Sequence, residues 1–113
     1  MKQIGVGILG FGTVGAGVAD GLLKHREVMA RRLGVDIVLR KIADLDITTD
    51  RGISVPKEVL TTDAAAAIAD PEIQIVVETI GGTGIAKKFV LDALNAKKCV
   101  VTANKKLLAE HGR

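Results

Sequence analysis

Residues Ile4–Leu9 form a short apolar run that ends in Gly10-Phe11-Gly12-Thr13-Val14-Gly15, and from Thr13 onward the apolar spacing turns helical. A strand, a turn with glycines at these three places and a helix restrict the chain to few arrangements. Gly10 permits the tight turn, Gly12 lets a ligand approach the main chain, and Gly15 lets the helix pack closely on the strand. The helix start then offers free N–H groups and a positive dipole end, a setting for phosphate.

The remainder alternates in the same manner. Val14, Val18, Leu22, Met29 and Leu33 predict one face of a long helix, or of two consecutive pieces, ended by Gly34. Asp36–Ala43 reads as a second strand that stops at Asp44. The stretch from Leu45 to Glu58 is polar, holds Gly52 and Pro56, and reads as an irregular connection. A short strand follows near Val59–Thr61. Asp63 is placed to cap a helix over Ala64–Ala69, which Asp70-Pro71 ends. Ile73–Glu78 is a strand leading to a Gly81-Gly82 loop. A helix from about Ile85 to Asn95 is expected to bury Phe89, Val90, Ala93 and Leu94. Cys99–Thr102 is the last strand, and Lys105 to Glu110 starts a further helix. Strands alternating with helices predict an α/β fold: a Rossmann-type doubly wound, mostly parallel sheet with helices on both faces. Residues 1–113 form one NAD(P)-binding domain on this reading.

Composition agrees. Of the 113 residues 48% are hydrophobic but only 2% aromatic, so Val, Ile, Leu and Ala must fill the interior, as suits a buried parallel sheet. A net charge of +3 without aromatic platforms argues against nucleic acid as a partner. The one cysteine, Cys99, precludes an internal disulfide and reads as a small core residue in a reducing cytoplasm. The first apolar run is far too short to span a membrane. His25 and His111 stand apart from metal-ligand partners, so no metal is expected. The basic residues around Lys24-His25-Arg26 and Arg31-Arg32 read as a solvated helix face.

Asp44, at the end of the second strand, stands where an acid hydrogen-bonds the ribose of a dinucleotide. Its charge disfavours a 2′-phosphate and so favours NAD over NADP, unless Arg40, Lys41, Arg51 or Lys57 offsets it. Thr79, Ile80, Gly81 and Gly82 after the fourth strand, and Ala103, Asn104 and Lys105 after the fifth, fall on the edge where the nicotinamide would lie. Taken alone, Gly81-Gly82 reads as a surface turn and Lys105 as a solvated lysine.

Gly10 to Gly15, Lys41-Ile42-Ala43-Asp44, Ile75-Val76-Val77-Glu78 with Gly81-Gly82, and Val100-Val101-Thr102-Ala103-Asn104-Lys105 together resemble the N-terminal cofactor domain of homoserine dehydrogenases over the whole chain. The resemblance implies NAD or NADP as cofactor. It implies reversible hydride transfer between L-homoserine and L-aspartate 4-semialdehyde, in threonine and methionine synthesis, by a homo-oligomeric enzyme. It assigns cofactor contact to Gly10, Phe11, Gly12, Thr13, Val14, Gly15, Asp44, Ile80, Gly81, Gly82, Ala103, Asn104 and Lys105. Lys105 would also reach the substrate and take part in proton transfer. The segment Thr83-Gly84-Ile85 lacks the proline often found there in that family. The chain ends at Arg113, before the family's substrate domain, so the polypeptide is expected to bind cofactor without turning over homoserine. The alternatives are another amino-acid-pathway reductase and a non-catalytic NAD(H)-sensing module.

Overall fold

A computed structural model describes residues 2–44, 55–80 and 84–102 of the chain. Strands β1 (Lys2–Leu9), β2 (Val35–Ala43), β3 (Leu60–Thr61), β4 (Ile75–Glu78) and β5 (Cys99–Thr102) pair in parallel in the order β3-β2-β1-β4-β5. Helices α1 (Thr13–Lys24) and α2 (Arg26–Leu33) join β1 to β2, α3 (Ala64–Ala69) joins β3 to β4, and α4 (Gly84–Asn95) joins β4 to β5.

The central strand is apolar on both faces because both are covered. Val6 and Ile8 pack with Phe11, Ala16, Ala19, Leu39 and Ile42 on the α1 side. Leu9 packs with Ala43, Ala67, Ile68, Ile73, Val76 and Ala93 on the α3 and α4 side. Full burial of an isoleucine such as Ile8, Ile42 or Ile73 stabilises the fold by about 1.5–3 kcal/mol each.

Pairing of β1 with β2 skips one residue. Val6 lies opposite Leu39 and Gly7 opposite Lys41, which leaves Arg40 as the extra residue of a bulge. A regular strand would send Leu39 and Ile42 to opposite faces. The bulge restores both to the α1 side, where they join one cluster.

Local signals act as their chemistry requires. The Asp63 carboxylate accepts from the Ala66 N–H at 3.0 Å and caps α3. Gly34 ends α2 in the left-handed conformation. The helical region breaks into two pieces at His25, which is exposed.

Four expectations are corrected. Val14 is 51% exposed, because α1 reaches the sheet through Ala16 and Ala19, whose small side chains allow close approach, and Leu33 is 60% exposed at the end of α2, a helix that buries none of its residues. Leu94 faces outward, and α4 buries Ala93 with Phe89 against the core. Cys99 is exposed rather than in the core, since it shares with Val101 the exposed face of β5. Strand β4 starts at Ile75, two residues late, although Ile73 is fully buried ahead of it. Most of the expected irregular connection, and the helix from Lys105, lie outside the described residues.

Candidate functional site

Strand order reverses between β1 and β4, so the connections leaving their carboxyl ends diverge and open a crevice. An open cleft of about 420 Å³ lies there, lined by Gly10, Ala43, Asp44, Thr62, Asp63, Ala64, Ala65, Ile80 and Phe89. It has walls from the ends of β1, β2 and β4 and a side formed by α3 and α4.

The glycine turn is held rigidly. Gly10 has φ of +104°, a conformation L side chains rarely adopt, and its N–H donates to the Ala43 carbonyl at 2.7 Å. A Cβ on Gly15 would stand 2.1 Å from the Gly10 carbonyl oxygen, so only glycine lets α1 begin this close to the turn. The Thr79 hydroxyl, 2.9 Å from the Leu9 carbonyl oxygen and 3.2 Å from that of Gly10, shares its proton between them. Thr79 therefore pins the turn to the end of β4.

Asp44 joins this framework from the β2 side. One carboxylate oxygen accepts from the Phe11 N–H at 2.5 Å, while the residue lines the cleft. Its own N–H donates to the Thr61 carbonyl at 3.0 Å, which ties the acid to β3.

These features suit a dinucleotide phosphate. A Cβ on Gly12 would meet nothing within 4 Å, so the main chain at the helix start is open to an approaching group. No acid stands in the first turn of α1 and, among the described residues, no side chain caps it, so an anion there meets N–H groups and the positive dipole end. A nicotinamide dinucleotide would supply the hydride-accepting ring, with Gly12 and the first turn of α1 beside its pyrophosphate and Asp44 beside its ribose.

The structure thus brings Gly10, Asp44 and Ile80 to one cleft, with Gly12 open beside the same turn and Gly15 packed on the Gly10 carbonyl; Phe11 gives its N–H to Asp44 but buries its ring in the core on the α1 side. Thr13 opens α1, and Val14 follows in its first turn with an exposed side chain. Gly81, Gly82, Ala103, Asn104 and Lys105 lie outside the described residues. Two of the cations expected near the ribose are directed elsewhere. Arg40 reaches the Gln3 side chain at 3.0 Å and the Glu72 carboxylate at 3.7 Å, toward the amino ends of the strands. Lys41 donates to the Glu58 carbonyl at 2.8 Å.

The sequence places Thr79 in the loop after the fourth strand and Glu78 in a motif, without assigning either a role. Glu78 is fully buried; its carboxylate accepts from the Ile80 N–H at 2.6 Å and from the Thr102 hydroxyl at 2.8 Å. The available signal was an acid closing an otherwise apolar strand, Ile75-Val76-Val77-Glu78.

Comparison with known proteins agrees with this geometry. The family model described as "Homoserine dehydrogenase, NAD binding domain" matches residues 10–113. The homoserine dehydrogenase of Bacillus subtilis (strain 168) is 43% identical over 112 residues, covering 99% of this chain and 26% of that protein. That of Methylobacillus glycogenes is 46% identical over 109 residues, covering 96% of the chain and 26% of the relative. The chain thus spans about a quarter of the length of these curated relatives. Among solved structures, homoserine dehydrogenase from Thiobacillus denitrificans superposes with a TM-score of 0.88 at 41% identity, covering 99% of this chain and 26% of that one. The S. aureus enzyme at pH 7.5 gives 0.88 at 35% identity, covering 97% and 28%. On sequence and fold together, the chain belongs to the family of homoserine dehydrogenase NAD-binding domains.

Proposed function

We propose that this chain binds NAD in preference to NADP, as the nucleotide-binding part of a protein that interconverts L-homoserine and L-aspartate 4-semialdehyde. Asp44 carries the cofactor preference. It is an acid at the end of β2, in the cleft and beside the glycine turn, where it can accept from ribose hydroxyls but would repel a 2′-phosphate. The commitments of Arg40 and Lys41 to Glu72 and Glu58 leave that repulsion without their help.

Gly10, Phe11, Gly12, Thr13, Val14 and Gly15 are assigned to the pyrophosphate side. Ile80, Gly81, Gly82, Ala103, Asn104 and Lys105 are assigned to the nicotinamide side, with Lys105 taking the alcohol proton as hydride leaves the substrate carbon. Turnover is a property of the full-length relatives, of which the chain spans about a quarter. The substrate pair, the homo-oligomeric state and the cytoplasmic setting come to this chain from the family.

Calorimetric titration with NADH and with NADPH, at one salt concentration, tests the reading. Tighter NADH binding is expected. Tighter NADPH binding overturns the role of Asp44, and binding of neither overturns the nucleotide reading.

A further inference from the structure

Glu78 is the buried charged side chain among the described residues, with 0% of its surface exposed. It sits on the same face of β4 as Val76, which packs with Leu9, Ala43, Ile73 and Ala93. An acid in such surroundings is costly, and a side chain selected for packing alone would be aliphatic. Its two oxygens meet two donors of different origin, the Ile80 N–H and the Thr102 hydroxyl. Ile80 lines the cleft next to Gly10. Thr102 lies opposite Glu78 in the β4–β5 ladder and closes β5.

We infer that Glu78 is a positioning residue of the nucleotide site, a clamp that sets the Ile80 main chain against the end of β5. The inference rests on the nucleotide reading above. Glu78 acts from behind the cleft: it holds the points where the chain leaves β4 and β5, immediately before Gly81 and Ala103. A carboxylate suits this task because it presents two acceptors at a fixed separation. A glutamine has one acceptor, yet it keeps both contacts if the Thr102 hydroxyl turns to accept from its amide. A leucine fills the space and keeps neither contact.

The test compares Glu78→Gln, Glu78→Leu and Thr102→Val in this chain by NADH calorimetry, thermal midpoint and amide hydrogen exchange at Ile80. Glu78→Leu is expected to speed exchange of the Ile80 amide and to weaken NADH binding roughly tenfold, the scale of one lost hydrogen bond to a charged group. Thr102→Val weakens binding to a smaller extent, and Glu78→Gln restores both the protection of Ile80 and the affinity. Wild-type NADH affinity in Glu78→Leu overturns the inference. If Glu78→Leu does not fold, Thr102→Val decides, and wild-type affinity there overturns it. An unsubstituted chain that binds no NADH overturns the nucleotide reading and the inference together, whereas normal binding unaffected by these changes overturns the inference alone.

Discussion

The carboxylate of Asp44 accepts a hydrogen bond from the main-chain N–H of Phe11 at 2.5 Å, across 33 residues of sequence. The end of β2 thereby fixes the turn that follows β1, and one acid both shapes the glycine turn and faces the cleft. Asparagine at this position keeps an acceptor for Phe11 while removing the charge. Asp44→Asn should shift the NADPH-to-NADH affinity ratio toward NADPH by about tenfold, the scale of one close repulsion in a wet site. Calorimetry with both nucleotides reads the ratio, and an unchanged value would remove Asp44 from the ribose.

Gly12 and Gly15 should separate stability from binding. A methyl group on Gly15 collides with the Gly10 carbonyl, so Gly15→Ala should cost at least about 1–3 kcal/mol in chemical denaturation. Gly12→Ala places its methyl in open space and should cost under about 1 kcal/mol, the difference between glycine and alanine at a helix start. It should nevertheless weaken NADH binding, because the methyl occupies room the pyrophosphate would use. Normal affinity in a folded Gly12→Ala chain would move the phosphates elsewhere.

Lys97 ends α4 in a conformation that suits glycine. Its φ is +63°, its N–H donates to the Leu94 carbonyl at 3.0 Å, and the Lys98 N–H donates to that of Ala93 at 3.0 Å. The left-handed conformation costs a non-glycine residue about 1–2 kcal/mol, partly offset by the extra freedom glycine loses on folding. Lys97→Gly should therefore stabilise the chain by roughly 0.5–1 kcal/mol. The check is a denaturant midpoint that rises at constant slope.

The pair Arg26–Asp36 gives a pH signature at the other end of the sheet. Two guanidinium nitrogens of Arg26 each donate to a different oxygen of Asp36 at 2.7 Å. Hydrogen bonding to Arg26 holds the Asp36 carboxyl below its ordinary value, against a smaller opposing effect of burial. A lowered carboxyl contributes stability that is present above the unfolded value, near 3.8, and is lost as pH falls through the folded one. The same bond raises Arg26 above its ordinary value, so its share is lost only at still higher pH. Thermal midpoints should fall more steeply below about pH 4 in the unsubstituted chain than in Asp36→Asn. Parallel acid limbs would mean the pair contributes nothing.

Much of the architecture was legible because it depends on neighbours in sequence. The apolar run into Gly10-Phe11-Gly12, the strand ending at Asp44, the Asp63 cap and the Gly34 stop each follow from backbone sterics or a hydrogen bond within a few residues. The placement of Asp44 at the carboxyl edge followed from the same alternation, since every strand in a parallel sheet ends on one edge.

What the sequence left undecided depends on residues far apart in it. Val14, Leu33, Leu94 and Cys99 carry apolar or burial-prone side chains but face outward: Ala16 and Ala19 set how α1 meets the sheet, α2 buries none of its residues, α4 packs through Ala93 and Phe89, and neighbours decide which face of β5 is covered. The bulge at Arg40 reverses the inside–outside alternation of β2, and only its register with β1 reveals it. Glu78 reads as the end of a strand and Thr79 as the start of the loop after it; their hydrogen bonds became visible only when β1, β4 and β5 lay side by side. Local order is written in short-range sterics, whereas pairing register and burial are properties of the assembled sheet.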